Sequence, residues 1–340
     1  MLDHSRTKGG KENIMKDDIR IMVAAGIMMA AIPCLAFVGR EKAAQAEISA
    51  GSGQVGVYFC EEDKVREYSL DEYVIGAVLS QMPADLEEEA LKAQGILARS
   101  YICRKAESEG KDPDPALKGA LISDDNGVYQ SFFTPEQAEV FYGEDHKEAY
   151  ERVKKAVTAP DCRDVILTYE GEPVIAAYHA ACAGRTRSAL EAWGVEIPYL
   201  QSVESEEEEC PETSTHIPAQ ELKEQLEELI MAQGEEPDMS GDPESWIETE
   251  QDEGGNVVKV VAFGTELSVS SFIDALGIAS PCFEIRTDGD SFDITARGFG
   301  HMVGMSQYGA NTMAKNGSSY EEILSHYYTG CSLEKQHYFG

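Results

Sequence analysis

The chain has 340 residues, 42 % of them hydrophobic, which is enough length and apolar content for a globular core. It carries 62 acidic against 28 basic side chains, a formal net charge of −34. Proteins that bind nucleic acid through its phosphates concentrate lysine and arginine, so this composition argues against a nucleic-acid partner.

An apolar segment near the N-terminus predicts a transmembrane helix. Residues 21–38 (IMVAAGIMMAAIPCLAFV) contain no charged side chain and are long enough to cross a bilayer. The excess of lysine and arginine before this segment places residues 1–20 in the cytoplasm and everything beyond about residue 40 outside the cell membrane. The alternative is a signal peptide cleaved at Ala44-Gln45-Ala46, which would give a secreted protein.

The number and spacing of the cysteines do not define a set of disulfide bonds. Of the eight present, Cys34 lies in the apolar segment, which leaves an odd number beyond it. The sequence contains no C-x-x-C pair of the kind that indicates a zinc site. If any bridge forms, we expect it between Cys182 and Cys210, because they flank one continuous segment.

The predicted elements begin after a linker at residues 39–54. Strands at 55–60 and 64–68 form a hairpin. Ser69 and Glu72 then make the capping-box pattern of a helix that ends near Ser80. Pro83 requires extended backbone before it, so a second helix, capped by Asp85 and Glu88, runs from about residue 86 to 105. Gln81 therefore lies in the elbow between two helices.

The later elements are helices and short strands. Helical stretches occur within 135–158, and strands at 165–169 and 174–178 flank a turn. Residues 204–255 are strongly acidic, contain a helix at 219–232, and are typical of an insertion or second lobe. A helix at 269–276, a hairpin of 283–287 and 292–295, a glycine-rich loop and two terminal helices follow. The predicted fold is α+β: short antiparallel sheets and helices in two lobes around a groove, within one domain at 55–335.

Three segments contain the residues from which we infer function: 70–101 (LDEYVIGAVLSQMPADLEEEALKAQGILARSY), 177–205 (AYHAACAGRTRSALEAWGVEIPYLQSVES) and 298–330 (GFGHMVGMSQYGANTMAKNGSSYEEILSHYYTG). In content and order they resemble the signature blocks of the stage II sporulation protein D family, whose amidase-enhancer-type domain occurs in bacterial cell-wall proteins. The resemblance implies a single-pass protein that faces peptidoglycan. It also implies a lytic transglycosylase reaction on glycan strands stripped of stem peptides, as in members of known activity.

That reaction needs one carboxyl group, which first protonates the glycosidic oxygen and then accepts a proton from the sugar. The family carries it on a glutamate directly before Met-Pro, whereas this chain reads Gln81-Met82-Pro83. An amide neither donates nor accepts a proton near neutral pH. The resemblance therefore implies a glycan-binding protein with reduced or lost activity. The alternative is an active enzyme that uses another carboxylate, such as Glu87, Glu88 or Glu89, although the simpler role of these side chains is to complement the helix N-terminus.

Further site residues follow from the same resemblance. Arg99 could clamp a carboxylate of muramic acid through two hydrogen bonds, or it could only snorkel, with its apolar stem packed and its guanidinium in water. His179 stands where the family has a histidine, but the loop after it, residues 180–184, has lost its hydroxyl groups. The catalytic candidates are thus Gln81, Glu89, Arg99 and His179. The substrate-binding candidates are Tyr178, Thr186, Trp193, His301, Ser306, Gln307 and Tyr308.

No metal or cofactor is expected. Some members of the family hold zinc after the second helix, but the equivalent positions here are Leu117, Ser123, Val128 and Tyr129, none of which is a zinc ligand in such sites. The partners that the resemblance implies are glycan strands, the membrane that holds the N-terminal helix, and other cell-wall hydrolases.

Overall fold

The computed structural model describes residues 53–208 and 210–339. The predicted cytoplasmic tail, the transmembrane segment and almost all of the linker lie outside the described residues. Within the described part of the chain, no helix is long and apolar enough to cross a membrane. The described residues divide into two compact units. Unit 1 comprises 53–177, 317–325 and 330–339, and unit 2 comprises 178–316 and 326–329.

Unit 1 begins with a three-stranded sheet of order β2-β1-β3, which packs against helices. Its elements up to residue 177 are β1 (Gln54–Phe59), β2 (Lys64–Ser69), α1 (Leu70–Gln81), α2 (Glu88–Lys111), β3 (Ile122–Ser123), α3 (Pro135–Tyr142), α4 (His146–Val157), β4 (Val165–Tyr169) and β5 (Glu172–Pro173). The predicted capping box at the start of α1 is confirmed. The Glu72 amide donates to Ser69 Oγ at 3.2 Å, and the Ser69 amide donates to the Glu72 carboxylate at 2.8 Å.

Two predictions in unit 1 are wrong in detail. The second helix, α2, starts at Glu88 without a side-chain cap, because the Leu86 amide bonds to the Pro83 carbonyl in the turn before it. It also continues to Lys111, where ion pairs one turn apart, such as Lys105 with Glu109, support its last turns. The strand predicted at 174–178 does not form. The partner of β4 is β5, which ends at residue 173, and residues 174–177 belong to no strand before the chain enters a different sheet at residue 178.

Unit 2 is built from two three-stranded sheets, one two-stranded parallel pair, and helices. Its elements are β6 (Tyr178–His179), α5 (Ala189–Trp193), β7 (Glu212–Pro218), α6 (Ala219–Ala232), β8 (Ile247–Gln251), β9 (Val257–Ala262), β10 (Thr265–Leu267), α7 (Val269–Leu276), β11 (Phe283–Thr287), β12 (Ser291–Arg297), β13 (Met305–Ser306) and α8 (Gln307–Lys315). The sheet orders are β10-β9-β8, β11-β12-β7 and β13-β6. The acidic residues 204–255 lie within this unit.

The chain ends with α9 (Tyr320–Tyr327), most of which belongs to unit 1, and β14 (Ser332–Lys335), which extends β4 and β5 into a sheet of order β14-β4-β5. The mixed α+β class is thus confirmed. Every cysteine of the described residues is free, so the expected bridge is wrong. Cys182 is instead buried with Cys282 and Met302, while Cys210 is exposed.

Candidate functional site

The second and third motif segments meet in unit 2 through a short parallel pairing. Strand β6 pairs with β13 so that His179 lies opposite Ser306. A further parallel bridge joins Arg187 to Val303. More than a hundred residues of sequence separate β6 from β13, yet their backbones are hydrogen bonded to each other. The pairing therefore gathers most of the predicted binding residues in one place.

Two histidines from these segments lie side by side, with ring centroids 6.0 Å apart. A single residue, Val303, orients both rings. His179 Nδ1 lies 3.2 Å from the Val303 carbonyl, which can only accept, so Nδ1 carries the proton and Nε2 is bare. The Val303 amide donates to His301 Nδ1 at 3.0 Å, so in His301 the proton is on Nε2. The pair thus has one acceptor, His179 Nε2, and one donor, His301 Nε2.

Both imidazoles are held neutral. Burial, and then the neighbouring His301, lowers the pKa of His179 to about 3. Burial, and then the charge of Arg187, lowers the pKa of His301 to about 4. The His179 ring is 1 % exposed, and its Nε2 has no hydrogen-bond partner among the described residues. A buried polar nitrogen without a protein partner is uncommon in a folded protein, so His179 Nε2 keeps an unused capacity to accept a hydrogen bond.

Helix α5 adds an aromatic ring to the pair, and Arg187, just before the helix, adds a cation. The Trp193 ring stands edge-on to His301, with centroids 5.5 Å apart. Ser188 and Glu191 form a capping box that fixes the start of α5, and Gly194 ends the helix in a left-handed conformation. The Arg187 guanidinium donates to the Glu191 carbonyl at 2.7 Å.

The glycine-rich loop can pass close to β6 and the residues after it because two of its residues have no Cβ. A Cβ on Gly298 would lie 2.7 Å from the Ala181 carbonyl oxygen, and one on Gly300 would lie 3.0 Å from the Cβ of His179. Both glycines have positive φ, of 81° and 98°. Met302 also has a positive φ, of 61°, and its buried side chain packs against Cys182 and Cys282.

The other predicted binding residues have mainly structural contacts. Ser306 caps α8 by accepting from the Gly309 amide at 3.1 Å. Thr186 Oγ1 accepts from the Val203 amide at 2.9 Å. Tyr178 and Gln307 are buried, and the Tyr308 amide donates to the Ala180 carbonyl at 3.0 Å.

In unit 1, Gln81 is the last residue of α1 and is 3 % exposed. Met82 after it is extended and its amide still bonds to the Val78 carbonyl, which produces the predicted elbow before Pro83. Glu89 lies in the first turn of α2, where one carboxylate oxygen pairs with Lys92 at 2.8 Å and the other accepts from the Tyr320 amide at 2.8 Å. Both oxygens are engaged, which favours a structural role for Glu89.

Arg99 is buried in α2 at 1 % exposure. Its guanidinium donates to the carbonyls of Val157, Cys162 and Val165, each at 3.1 Å. These bonds tie α2 to the end of α4 and the start of β4, so the guanidinium does not extend into water and serves the fold instead. The described residues contain no group of three metal-ligating side chains.

Comparison with known proteins identifies the family. The family model "Stage II sporulation protein" matches residues 60–169. The chain is 33 % identical over 297 residues to stage II sporulation protein D of Bacillus amyloliquefaciens, covering 86 % of this chain and 82 % of that protein. The chain belongs to the stage II sporulation protein D family. The relative of the same name in Bacillus subtilis is 32 % identical over 291 residues, with 85 % and 81 % covered.

The amidase enhancer of Bacillus subtilis is a more distant relative of this chain. It is 25 % identical over 309 residues, which cover 76 % of this chain and 40 % of that protein. The family resemblance read from the three motif segments is thereby confirmed.

Two polar residues of this family member, Glu207 and Arg187, are not among the candidates that its sequence indicates. Glu207 Oε1 accepts from Ser306 Oγ at 2.6 Å and from the Cys182 amide at 2.7 Å, while Oε2 is buried without a partner among the described residues. Burial raises the pKa of this carboxyl. Glu207 lies in the acidic segment that starts at Glu204, where nothing in the local sequence distinguishes it from its glutamate neighbours. The same holds for Arg187, whose burial only the structure shows.

Proposed function

We propose that this chain is a membrane-anchored, extracytoplasmic protein that binds peptidoglycan glycan strands during cell-wall remodelling in sporulation, with lytic transglycosylase activity lost or strongly reduced. Membership of the stage II sporulation protein D family, and similarity to a protein named amidase enhancer, support the cell-wall setting. The proposed organisation is a tail (1–20), a membrane helix (21–38), a linker (39–54) and a domain (55–335), with the acidic part at 204–255. Cleavage near Ala46 would instead release the domain.

The single observation that carries the loss of activity is the amide at position 81. Gln81 ends α1 in the elbow before Met82-Pro83, where the family places its general acid. General acid-base catalysis contributes about 10²- to 10⁴-fold to a rate, roughly 3 to 5 kcal/mol of barrier. Glu89 is poorly placed to replace it, since Lys92 and the Tyr320 amide occupy its oxygens. We therefore expect little turnover.

Glycan binding is supported by the histidine pair beside Trp193. A sugar hydroxyl can accept from the Nε2 proton of His301, and it can donate to the bare Nε2 of His179 once that buried nitrogen becomes accessible. The indole of Trp193 supplies an apolar face for the ring of the sugar. Because both imidazoles stay neutral, the pair suits uncharged hydroxyl groups.

A second candidate function, an active lytic transglycosylase with a different carboxyl, is favoured by Glu207. A general acid must be protonated near neutral pH, and burial raises the pKa of Glu207 in that direction. Its Oε2 is buried, so the carboxyl would have to become accessible before it could reach a glycosidic oxygen.

The test is to incubate the full chain, purified in mild detergent, with peptide-free glycan strands and to look by mass spectrometry for 1,6-anhydro-muramoyl ends. We expect none from the native chain and a clear signal from Gln81→Glu. The matched control is Gln220→Glu, the same change on the exposed surface of α6.

As many products from the native chain as from Gln81→Glu would contradict the loss of activity. Their disappearance in Glu207→Gln would then establish the second candidate. Sedimentation of the chain with insoluble glycan strands measures binding separately, and a chain that stays in the supernatant would refute the proposed function as a whole.

A further inference from the structure

We propose that Arg187 makes this site selective for a sugar that carries a free carboxylate, by forming a buried ion pair with it. This inference rests on the proposed function, glycan binding beside Trp193, and adds the charge of the ligand that the site recognises. Arg187 lies in the second motif segment, residues 177–205, but it is not among the catalytic or binding candidates that the resemblance implies.

The first argument is that Arg187 is a buried cation without an anion. Its side chain is 5 % exposed. One terminal nitrogen donates to the Glu191 carbonyl, and Nε has no hydrogen-bond partner among the described residues. No carboxylate of the described chain lies within ion-pair distance of it. An arginine remains protonated in proteins, so this charge is permanent. Leaving one ion of a buried pair uncompensated is strongly destabilising, so such a site gains from the arrival of an anion.

The second argument is that the two nearest carboxylates are already held by other groups. Asp252 and Glu191 both act on the charge of Arg187 at longer range. The Asp252 carboxylate accepts from the amide and the side chain of Asn256, at 2.9 Å and 3.1 Å. The Glu191 carboxylate accepts from the Ser188 amide at 2.8 Å, in the capping box of α5. Neither can move to Arg187 without breaking the turn or the cap that it forms.

The third argument is that the backbone holds Arg187 against the proposed sugar site. Its amide donates to the Met302 carbonyl at 2.6 Å, in the bridge between the two motif segments. Its guanidinium bonds to the helix that carries Trp193, and its charge is near enough to His301 to lower the pKa of that ring. A fixed cation, a proton donor at His301 Nε2 and an indole face together fit a pyranose with a carboxylate substituent. Guanidinium binds carboxylate through two parallel hydrogen bonds.

The experiment compares two forms of one ligand on the full chain in mild detergent. The first is peptide-free glycan strands with free carboxylates, and the second is the same strands after chemical reduction of those carboxylates to alcohols. We expect the native chain to bind the carboxylate form on the order of 10- to 100-fold more tightly, as for a charge-assisted hydrogen bond. Arg187→Gln should bind both forms equally, and Arg187→Lys should keep part of the difference.

The matched control is Arg185→Gln, which removes an exposed arginine two residues away that bonds to Ser202. It should leave the selectivity unchanged. Equal binding of both strand forms by the native chain would overturn the inference on Arg187 while leaving glycan binding intact, and it requires no variant to fold. A difference that persists in Arg187→Gln would also overturn it. Failure to bind either form would refute the proposed function itself.

Discussion

The neutral histidine pair predicts a specific sensitivity of unit 2 to acid. His179 and His301 have pKa values of about 3 and about 4, below the ordinary 6.5 that they regain on unfolding. The unfolded chain therefore binds protons that the folded chain refuses once the pH falls below 6.5. The free energy of unfolding is unaffected by these groups above that pH. It falls progressively below it, until the pH reaches the folded pKa values.

The magnitude follows from the difference in pKa. At about pH 5 the fully buried His179 alone should cost about 2 kcal/mol of stability relative to about pH 8, because each pKa unit is worth roughly 1.4 kcal/mol. The ring of His301 is partly exposed, so its share is smaller, and the pair together should cost about 2 to 4 kcal/mol.

Urea unfolding, monitored by tryptophan fluorescence, measures the loss of unfolding free energy in unit 2. The two tryptophans of the chain, Trp193 and Trp246, both lie in unit 2 with the histidines. His179→Gln keeps a donor for the Val303 carbonyl but cannot titrate, so it should lose about 2 kcal/mol less than the native chain between about pH 8 and pH 5. His216→Gln, at an exposed position on β7, is the control. An identical loss in the native chain and in His179→Gln would refute the reasoning.

Further changes test packing and burial, each by urea unfolding. Gly76→Ala places a Cβ 2.4 Å from the Phe133 carbonyl oxygen, so we expect a loss of about 3 kcal/mol, followed by circular dichroism. Arg99→Met deprives three buried carbonyls of their donor and should cost about 3 kcal/mol, with Arg104→Met as the comparison at a position with one such bond. Gln81→Glu puts an ionisable group at a buried position, whose raised pKa should lower stability by about 1 to 3 kcal/mol near neutral pH and less in acid. Equal stability of Gln81→Glu and the native chain at both pH values would contradict the burial argument.

Local signals in the sequence predicted helices better than they predicted the site. The bounds of α6 (Ala219–Ala232) and α7 (Val269–Leu276) agree with prediction because periodicity and end residues are local. The elbow at Gln81 follows from Pro83 alone. Strands β6 and β13 have two residues each, too short for any periodicity, and their pairing depends on contacts across more than a hundred residues.

The chemistry of the site could not be predicted from the sequence for the same reason, because it depends on contacts between residues that are distant in the sequence. The motif indicated His179 and His301, but only the bonds of Val303 determine which nitrogen of each ring carries the proton. Arg99 and Glu89 matched a functional pattern, yet their partners are backbone carbonyls, a lysine and a backbone amide. A sequence gives the type of a polar side chain but not which partners already satisfy it.

The overall charge and the local charge of this protein act in opposite directions on an anionic ligand. With a net charge of −34, the chain repels an anionic glycan strand at long range, and this repulsion is screened beyond about 8 Å at physiological ionic strength. Arg187 attracts the same ligand only at contact, in a buried place that salt screens weakly. Raising the salt concentration should therefore accelerate association of the full chain with carboxylate-bearing strands and leave their dissociation nearly unchanged. A dissociation rate that rises steeply with salt would show that exposed charges, rather than Arg187, hold the strand.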